Sequence, residues 1–186
     1  WTTDGYGHGT YVTGIIAALG GNNTGVTSVN PGDNLTIHIV KAFTDNGYWV
    51  YGSTSISALD NCVTAGADII NMSYGGSAFS QAENQAFIAA NNAGVLLIAA
   101  AGNSGASSPK YPASLDAVMS VGSVGSTGTI AYNSTHHSST EISAPGVGVN
   151  STGPGNTYAA VSGTSFAAPH VTGVAALVWG HYPSCS

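Results

Sequence analysis

The fold is decided by three consecutive segments: Ala67-Asp68-Ile69-Ile70-Asn71-Met72-Ser73, residues 81–92, and Val95-Leu96-Leu97-Ile98-Ala99-Ala100-Ala101. Its first and last segments are short apolar runs typical of buried strands, and the segment between them is typical of a helix. A strand, a helix and another strand in this order indicate a mainly parallel sheet covered by helices.

The same alternation continues on both sides of this stretch. The further predicted elements are helices from His8 and over residues 53–65, strands over residues 35–43, 117–124 and 158–162, and a final apolar helix. Residues 125–139 form a polar loop and not a domain boundary. We therefore predict an α/β fold: a doubly wound, mainly parallel sheet with helices on both faces, within one domain. In such folds ligands bind beyond the carboxyl ends of the strands.

The composition excludes several classes of partner. Charged residues make up 5% of the chain, against about 25% in an average domain, while a hydrophobic content of 43% suffices for a core. The net charge is −6, and the basic side chains are Lys41 and Lys110. Two cations are too few to bind nucleic acid or an anionic membrane, and no apolar run is long enough to cross a bilayer.

A candidate nucleophile lies in Gly163-Thr164-Ser165-Phe166-Ala167-Ala168-Pro169-His170. Residues of helix-capping type precede Ser165, and apolar residues recur after it at helical spacing. Ser165 is therefore predicted in the first turn, where unpaired backbone N–H groups favour developing negative charge. The alternative is a serine that only caps a core helix.

Two other segments supply what a serine nucleophile requires. His8 opens an apolar helix and offers a base, and Asn103 follows a buried run, next to a glycine that lets backbone approach a ligand. An amide placed there is suited to donate to an oxyanion. His170 is closer to Ser165 in sequence, but five residues along a helix rotate it by about 140° onto another face.

These three segments, in this order, resemble the motifs of the subtilisin-like serine proteases, the subtilase family. Asp68-Ile69-Ile70-Asn71-Met72-Ser73-Tyr74-Gly75-Gly76, Tyr111-Pro112-Ala113 and Ala144-Pro145-Gly146 extend the resemblance over nearly the whole chain. It implies a serine endopeptidase that cleaves after large apolar residues. Ser165 would attack the peptide carbonyl and His8 would transfer the proton, while Asn103 and the Ser165 N–H would hold the oxyanion. In this family the residue after the nucleophile is usually methionine, and here it is Phe166.

The aspartate of the family's catalytic triad has no counterpart at the expected place. In the family it ends a strand well before the histidine, but seven residues precede His8. Asp4 lies in the same short loop as His8, at a place that is variable in the family. We therefore expect residues 1–186 to be a partial, incomplete subtilisin-like domain without the aspartate-bearing first strand and the C-terminal end, and with weak or no activity. The alternative is a catalytically dead member or fragment that acts as a peptide-binding or structural module.

The resemblance also implies a substrate-binding set. One wall of the first pocket would be Ser73, Tyr74, Gly75 and Gly76, which would pair with an extended peptide; the other would be Ala100, Ala101 and Gly102. Tyr51 would cover an outer apolar pocket, and Thr164 would lie beside the nucleophile. The alternative for the aromatic residues is ordinary surface packing.

A structural calcium site is implied at residues 19–26, with Leu19, Asn23, Thr24 and Val26 as its ligands. Carbonyl and amide oxygens suit this ion, although the family's carboxylate ligand lies upstream; the alternative is a plain Gly/Asn turn.

The remaining expectations concern the setting of the protein. Cys62 and Cys185 are predicted to form a disulfide, with two buried thiols as the alternative. We expect a secreted, extracellular monomer that acts on protein or peptide substrates, with a possible prodomain in the full-length parent.

Overall fold

The main sheet has four parallel strands. The computed structural model describes residues 3–32, 34–48 and 53–184. The strands are β1 (Ile69–Met72), β2 (Leu96–Ala100), β3 (Met119–Val124) and β4 (Thr140–Pro145), and their order in the sheet is β1-β2-β3-β4. All three pairings are parallel, which confirms the predicted sheet. Strand β4 was not predicted, because its sequence has no continuous apolar run and most of its residues are exposed.

Helices cover both faces of this sheet, as predicted. They are α1 (His8–Ala17), α2 (Ser53–Thr64), α3 (Gln81–Asn92) and α4 (Thr164–His181). On β2, Leu97 and Ala99 belong to a core cluster shared with α2 and α3, whereas Ile98 and Ala100 belong to one shared with α4. Because successive side chains of a strand point to opposite faces, a strand buried on both sides must be apolar throughout. The run from Val95 to Ala101 meets that requirement.

A separate hairpin holds α1 in place. Strands β5 (Val149–Gly153) and β6 (Thr157–Val161) pair antiparallel, and β5 was also not predicted. The Ser151 hydroxyl donates to the Tyr11 carbonyl at 2.6 Å. A Cβ on Gly14 would lie 2.1 Å from Thr152 Oγ1, so the close approach of α1 to β5 requires glycine there.

The predicted strand at residues 35–43 is wrong. Residues 34–42 have no β-ladder in the described part of the chain, and Ile37 and Ile39 are exposed. The segment instead lines a large groove, together with strand β1. An apolar sequence can favour an extended backbone, but a strand also needs hydrogen-bonding partners on a neighbour.

Within the described residues, no helix is long and apolar enough to cross a membrane.

Candidate active site

Ser165 occupies the first turn of α4, as the sequence predicts. Gly163 immediately precedes the helix with φ 146°, a backbone conformation that side-chain-bearing residues rarely adopt. A Cβ at this position would also lie 3.3 Å from Asn103 Nδ2. Glycine therefore permits the sharp entry into α4 that brings Ser165 and Asn103 together.

A proline gives the start of α4 an unusual hydrogen-bond pattern. In a regular helix the carbonyl of Ser165 would accept from the N–H of residue 169, but Pro169 has no N–H. The Ser73 hydroxyl donates to this carbonyl instead, at 2.7 Å. In return, the Ser165 hydroxyl donates to the Ser73 carbonyl at 3.1 Å. The end of β1 is thereby fixed to the candidate nucleophile.

Two polar residues that the sequence did not single out extend this contact. Asn71 on β1 donates from Nδ2 to Ser73 Oγ at 2.9 Å, and the Thr172 hydroxyl donates to Asn71 Oδ1 at 3.0 Å. Thr172 is buried one turn beyond Pro169. Asn71 is a polar residue in an otherwise apolar strand. This polar position is the sequence feature from which its role could have been predicted.

Asn103 is oriented by the residue that precedes the nucleophile. Its Oδ1 accepts from the Thr164 N–H at 2.8 Å and from the Thr164 hydroxyl at 3.1 Å. The same hydroxyl accepts from the Gly102 N–H at 3.1 Å. Asn103 Nδ2 has no hydrogen-bond partner among the described residues and lies on the groove. Thr164 is fully buried, so the geometry favours a positioning role for it over direct contact with substrate.

His8 begins α1 and lines the same groove as Ser165 and Asn103. Its ring packs against Phe166, with centroids 5.4 Å apart. Burial lowers the pKa of His8 below its ordinary value of 6.5, against an opposing charge effect from Asp4. The neutral imidazole, the form able to accept a proton, is thus favoured. No carboxylate of the described residues accepts a hydrogen bond from its ring.

Asp4 forms hydrogen bonds with the start of α1 and not with the ring of His8. Its carboxylate accepts from the Gly7 N–H, the Thr10 N–H and the Thr10 hydroxyl at 2.7–2.9 Å. Burial raises the pKa of Asp4, but these hydrogen bonds outweigh it and the net pKa is lowered. Asp4 therefore caps the start of α1.

His170 bonds to its own helix, with Nδ1 2.8 Å from the Phe166 carbonyl. This contact is consistent with the structural role predicted for it.

Most of the residues predicted to bind substrate line the groove. It is lined by Ser73, Tyr74, Gly75, Gly76, Ala100, Gly102, Thr164 and the three candidate catalytic residues. Ala101 is buried and lies outside this lining. Tyr51 lies outside the described residues. The described residues predicted for the two walls therefore line one groove, except Ala101, which packs into the core.

Tyr74 turns much of its ring into the core beside α2. Its hydroxyl lies 3.3 Å from Ser55 Oγ, and its ring packs edge-on against Phe43. Burial raises the pKa of Tyr74 to about 12. It offers the groove an apolar wall and not an ionisable group.

The predicted calcium loop is exposed and held by its own turn. Asn22 Oδ1 accepts from the Thr24 N–H at 3.0 Å, and Asn23 has φ 57°. The described residues contain no cluster of three His, Cys, Asp or Glu side chains that could hold a metal. Leu19, Asn23, Thr24 and Val26 all lie in or beside this turn, and the calcium site at these residues stays a prediction.

Cys62 is half-buried on α2, and burial raises the pKa of its thiol. Cys185 lies outside the described residues, so the disulfide stays a prediction.

The comparison with known families agrees with this fold. A family model described as the Subtilase family matches residues 2–186. The chain therefore belongs to the subtilase family.

The relatives found are proteases. Subtilisin DY from Bacillus licheniformis is 44% identical over all of this chain and 68% of its own length. A thermostable alkaline protease from Halalkalibacterium halodurans is 46% identical over 97% of this chain but 49% of its own. The chain thus spans between about half and two thirds of these relatives.

Solved structures show the same architecture. The psychrophilic subtilisin-like protease Apa1 from Pseudoalteromonas sp. AS-11 superposes with a TM-score of 0.77 and 47% identity, covering 81% of this chain and 34% of that one. A mutant of the protease domain of PatA gives a TM-score of 0.88 and 33% identity, covering 96% and 66%.

Proposed function

We propose that the protein is a serine endopeptidase with Ser165 as nucleophile, His8 as general base and Asn103 as oxyanion donor. The observation that carries the proposal is the orientation of Asn103. Thr164 bonds to its Oδ1, and Nδ2 has no partner among the described residues, beside the helix start that holds Ser165. A donor that is fixed before the reaction stabilises charge without reorganising.

The chemistry then follows in two stages. Ser165 Oγ leaves its hydrogen bond to the Ser73 carbonyl, gives its proton to neutral His8 and attacks the peptide carbonyl. The oxyanion accepts from Asn103 Nδ2 and the Ser165 N–H, and His8 returns the proton to the leaving amine. Water, activated by His8, hydrolyses the acyl-enzyme.

Residues 1–186 by themselves are proposed to be a weak catalyst or inactive. In the described residues no carboxylate bonds to His8, and the family resemblance locates the aspartate upstream of the histidine. Loss of the aspartate alone lowers kcat about 3 × 10⁴-fold in subtilisin.

The substrate is proposed to be an extended peptide that pairs with residues 73–76. Because the relatives are bacterial subtilisins and related proteases, we also propose a secreted, extracellular protein that acts as a monomer, with a prodomain in its parent. We also propose that residues 19–26 bind a structural calcium ion in the full-length parent protein.

A fluorophosphonate probe tests the nucleophile on the chain as it exists. We expect slow covalent labelling that is lost in Ser165→Ala and retained in Ser108→Ala, an exposed serine outside the groove. Equal labelling of Ser165→Ala would refute the assignment. No labelling of the folded protein would favour the alternative, a catalytically dead module that binds peptides.

A further inference from the structure

A lysine lies between the two walls of the candidate substrate pocket. A Cβ on Gly102 would lie 2.8 Å from Lys110 Cγ, and a Cβ on Gly75 would lie 4.0 Å from Lys110 Cβ. Gly102 and Gly75 belong to opposite walls, so the aliphatic part of Lys110 occupies the space between them. Lys110 also lines the groove that contains Ser165 and Asn103.

The backbone fixes Lys110 in this place. Its N–H donates to Ser114 Oγ at 3.1 Å, and its carbonyl accepts from the Ser114 N–H at 2.7 Å. The next residue, Tyr111, exchanges two 2.8 Å hydrogen bonds with Gly76 in an antiparallel bridge. The base of the side chain is therefore tied to the wall that would pair with a peptide.

The charge of Lys110 is only partly satisfied by the protein. Its Nζ donates to Ser77 Oγ at 2.8 Å, and an ammonium group has three donors. Within the described residues, Lys110 forms no ion pair, whereas Lys41 pairs with Asp45. The pocket thus contains a cation with unused hydrogen-bond donors and, among the described residues, no carboxylate partner.

From this arrangement we propose that Lys110 sets the specificity of the pocket for an acidic side chain, Glu or Asp, on the peptide residue that enters between the two walls. The inference rests on the proposed function, and it replaces the expected preference for large apolar residues. A carboxylate entering the pocket would accept from Nζ while its short methylene chain lies alongside the Lys110 stem and does not displace it. A bulky apolar side chain would compete with the Lys110 stem for the same space and leave the ammonium desolvated.

The test measures peptide binding, which needs no catalysis. The probes are acetyl-Ala-Ala-Pro-Glu-amide and its Gln and Leu counterparts, so the Glu and Gln peptides differ by one charge. Binding is followed by the NMR shifts of the Gly75, Gly76 and Gly102 amides. We expect the Glu peptide to bind about tenfold more tightly than the Gln peptide, as for a partly exposed charge-assisted hydrogen bond.

Two variants separate a local contact from net charge. Lys110→Met should abolish the preference for Glu over Gln and improve binding of the Leu peptide. Lys41→Met removes the same charge from the other lysine and should leave the preference intact. Equal binding of Glu and Gln peptides, no binding of any peptide, or an equal effect of the two variants would overturn the proposal.

Failure of the proposed function gives a different result. A protein that binds the Glu peptide through Lys110 but resists the fluorophosphonate probe retains this specificity and loses the peptidase assignment. A protein that is labelled at Ser165 without preferring Glu retains the peptidase assignment and loses this one.

Discussion

The side chains of Ser73 and Ser165 each donate a hydrogen bond to the other residue's backbone carbonyl, at 2.7 and 3.1 Å. One bond compensates for the N–H that Pro169 lacks, and the other occupies the hydroxyl of the candidate nucleophile. The same two hydrogen bonds therefore affect both the stability of α4 and the reactivity of Ser165.

Replacement of Ser73 by alanine should destabilise the fold. The Ser165 carbonyl would lose its donor, at a cost of about 1–2 kcal/mol in the free energy of unfolding. In a Pro169→Ala background the N–H of residue 169 can serve the same carbonyl, so the cost of Ser73→Ala should fall. Urea unfolding of the double-mutant cycle measures this coupling. Equal costs in both backgrounds would show that the Ser73 bond does not replace the missing helical one.

Replacement of Asn103 by alanine should lower kcat with little change in KM. In a form of the protein that hydrolyses peptides, we expect a fall of about 10²- to 10³-fold, the range found when this donor is removed from subtilisin. Thr164→Val keeps the amide but removes the hydroxyl that bonds its Oδ1, and should cause a smaller fall in kcat. Steady-state kinetics on both variants, with Ser108→Ala as control, provide the measurement. Unchanged kcat in Asn103→Ala would remove this residue from the mechanism.

The pKa of His8 should lie below 6.5 in the folded protein, because burial disfavours the imidazolium. Its contribution to stability is then present above the unfolded pKa and is lost as the pH falls through the folded pKa. Asp4→Asn removes the charge that opposes the shift, so it should lower the pKa of His8 further. NMR titration of the His8 ring checks both statements.

The control for this titration is Asp116→Asn, which removes an exposed carboxylate that does not contribute to the His8 shift. A His8 pKa above 6.5, or an equal effect of the two variants, would contradict the prediction.

Phe166 should make the active protein resistant to mild peroxide. A methionine at this position, packed against His8, would be oxidised to a polar sulfoxide, whereas a phenyl ring is inert under these conditions. The measurement compares the rates of inactivation by peroxide of the parent and of Phe166→Met, with the parent expected to be slower.

Met72 is the nearest competing target, since it directly precedes Ser73, but it is 2% exposed. Met72→Leu should therefore leave the rate unchanged. Equal inactivation of the parent and Phe166→Met would show that residue 166 does not control the sensitivity to oxidation.

The sequence by itself determined strands β1, β2 and β3 of the sheet and the helix starts. Leu97 and Ile98 lie on opposite faces of β2 and are both fully buried, so the apolar run had to be an interior strand of a sheet covered on both sides. Gly163, Thr164 and Ser165 likewise mark a helix start from local chemistry alone. Such features depend on residues close together in the chain, and that is why composition and spacing predict them.

Only the tertiary structure decided which groups meet. The segment at 35–43 has the composition of a strand but no ladder over residues 34–42 within the described chain, because pairing depends on a neighbour and not on the segment itself. Thr164 orients Asn103 across 61 positions of sequence. From the sequence, Lys110 was noted only as one of two cations. In the structure it lies between Gly75 and Gly102, because the bridge between Tyr111 and Gly76 brings two distant loops together.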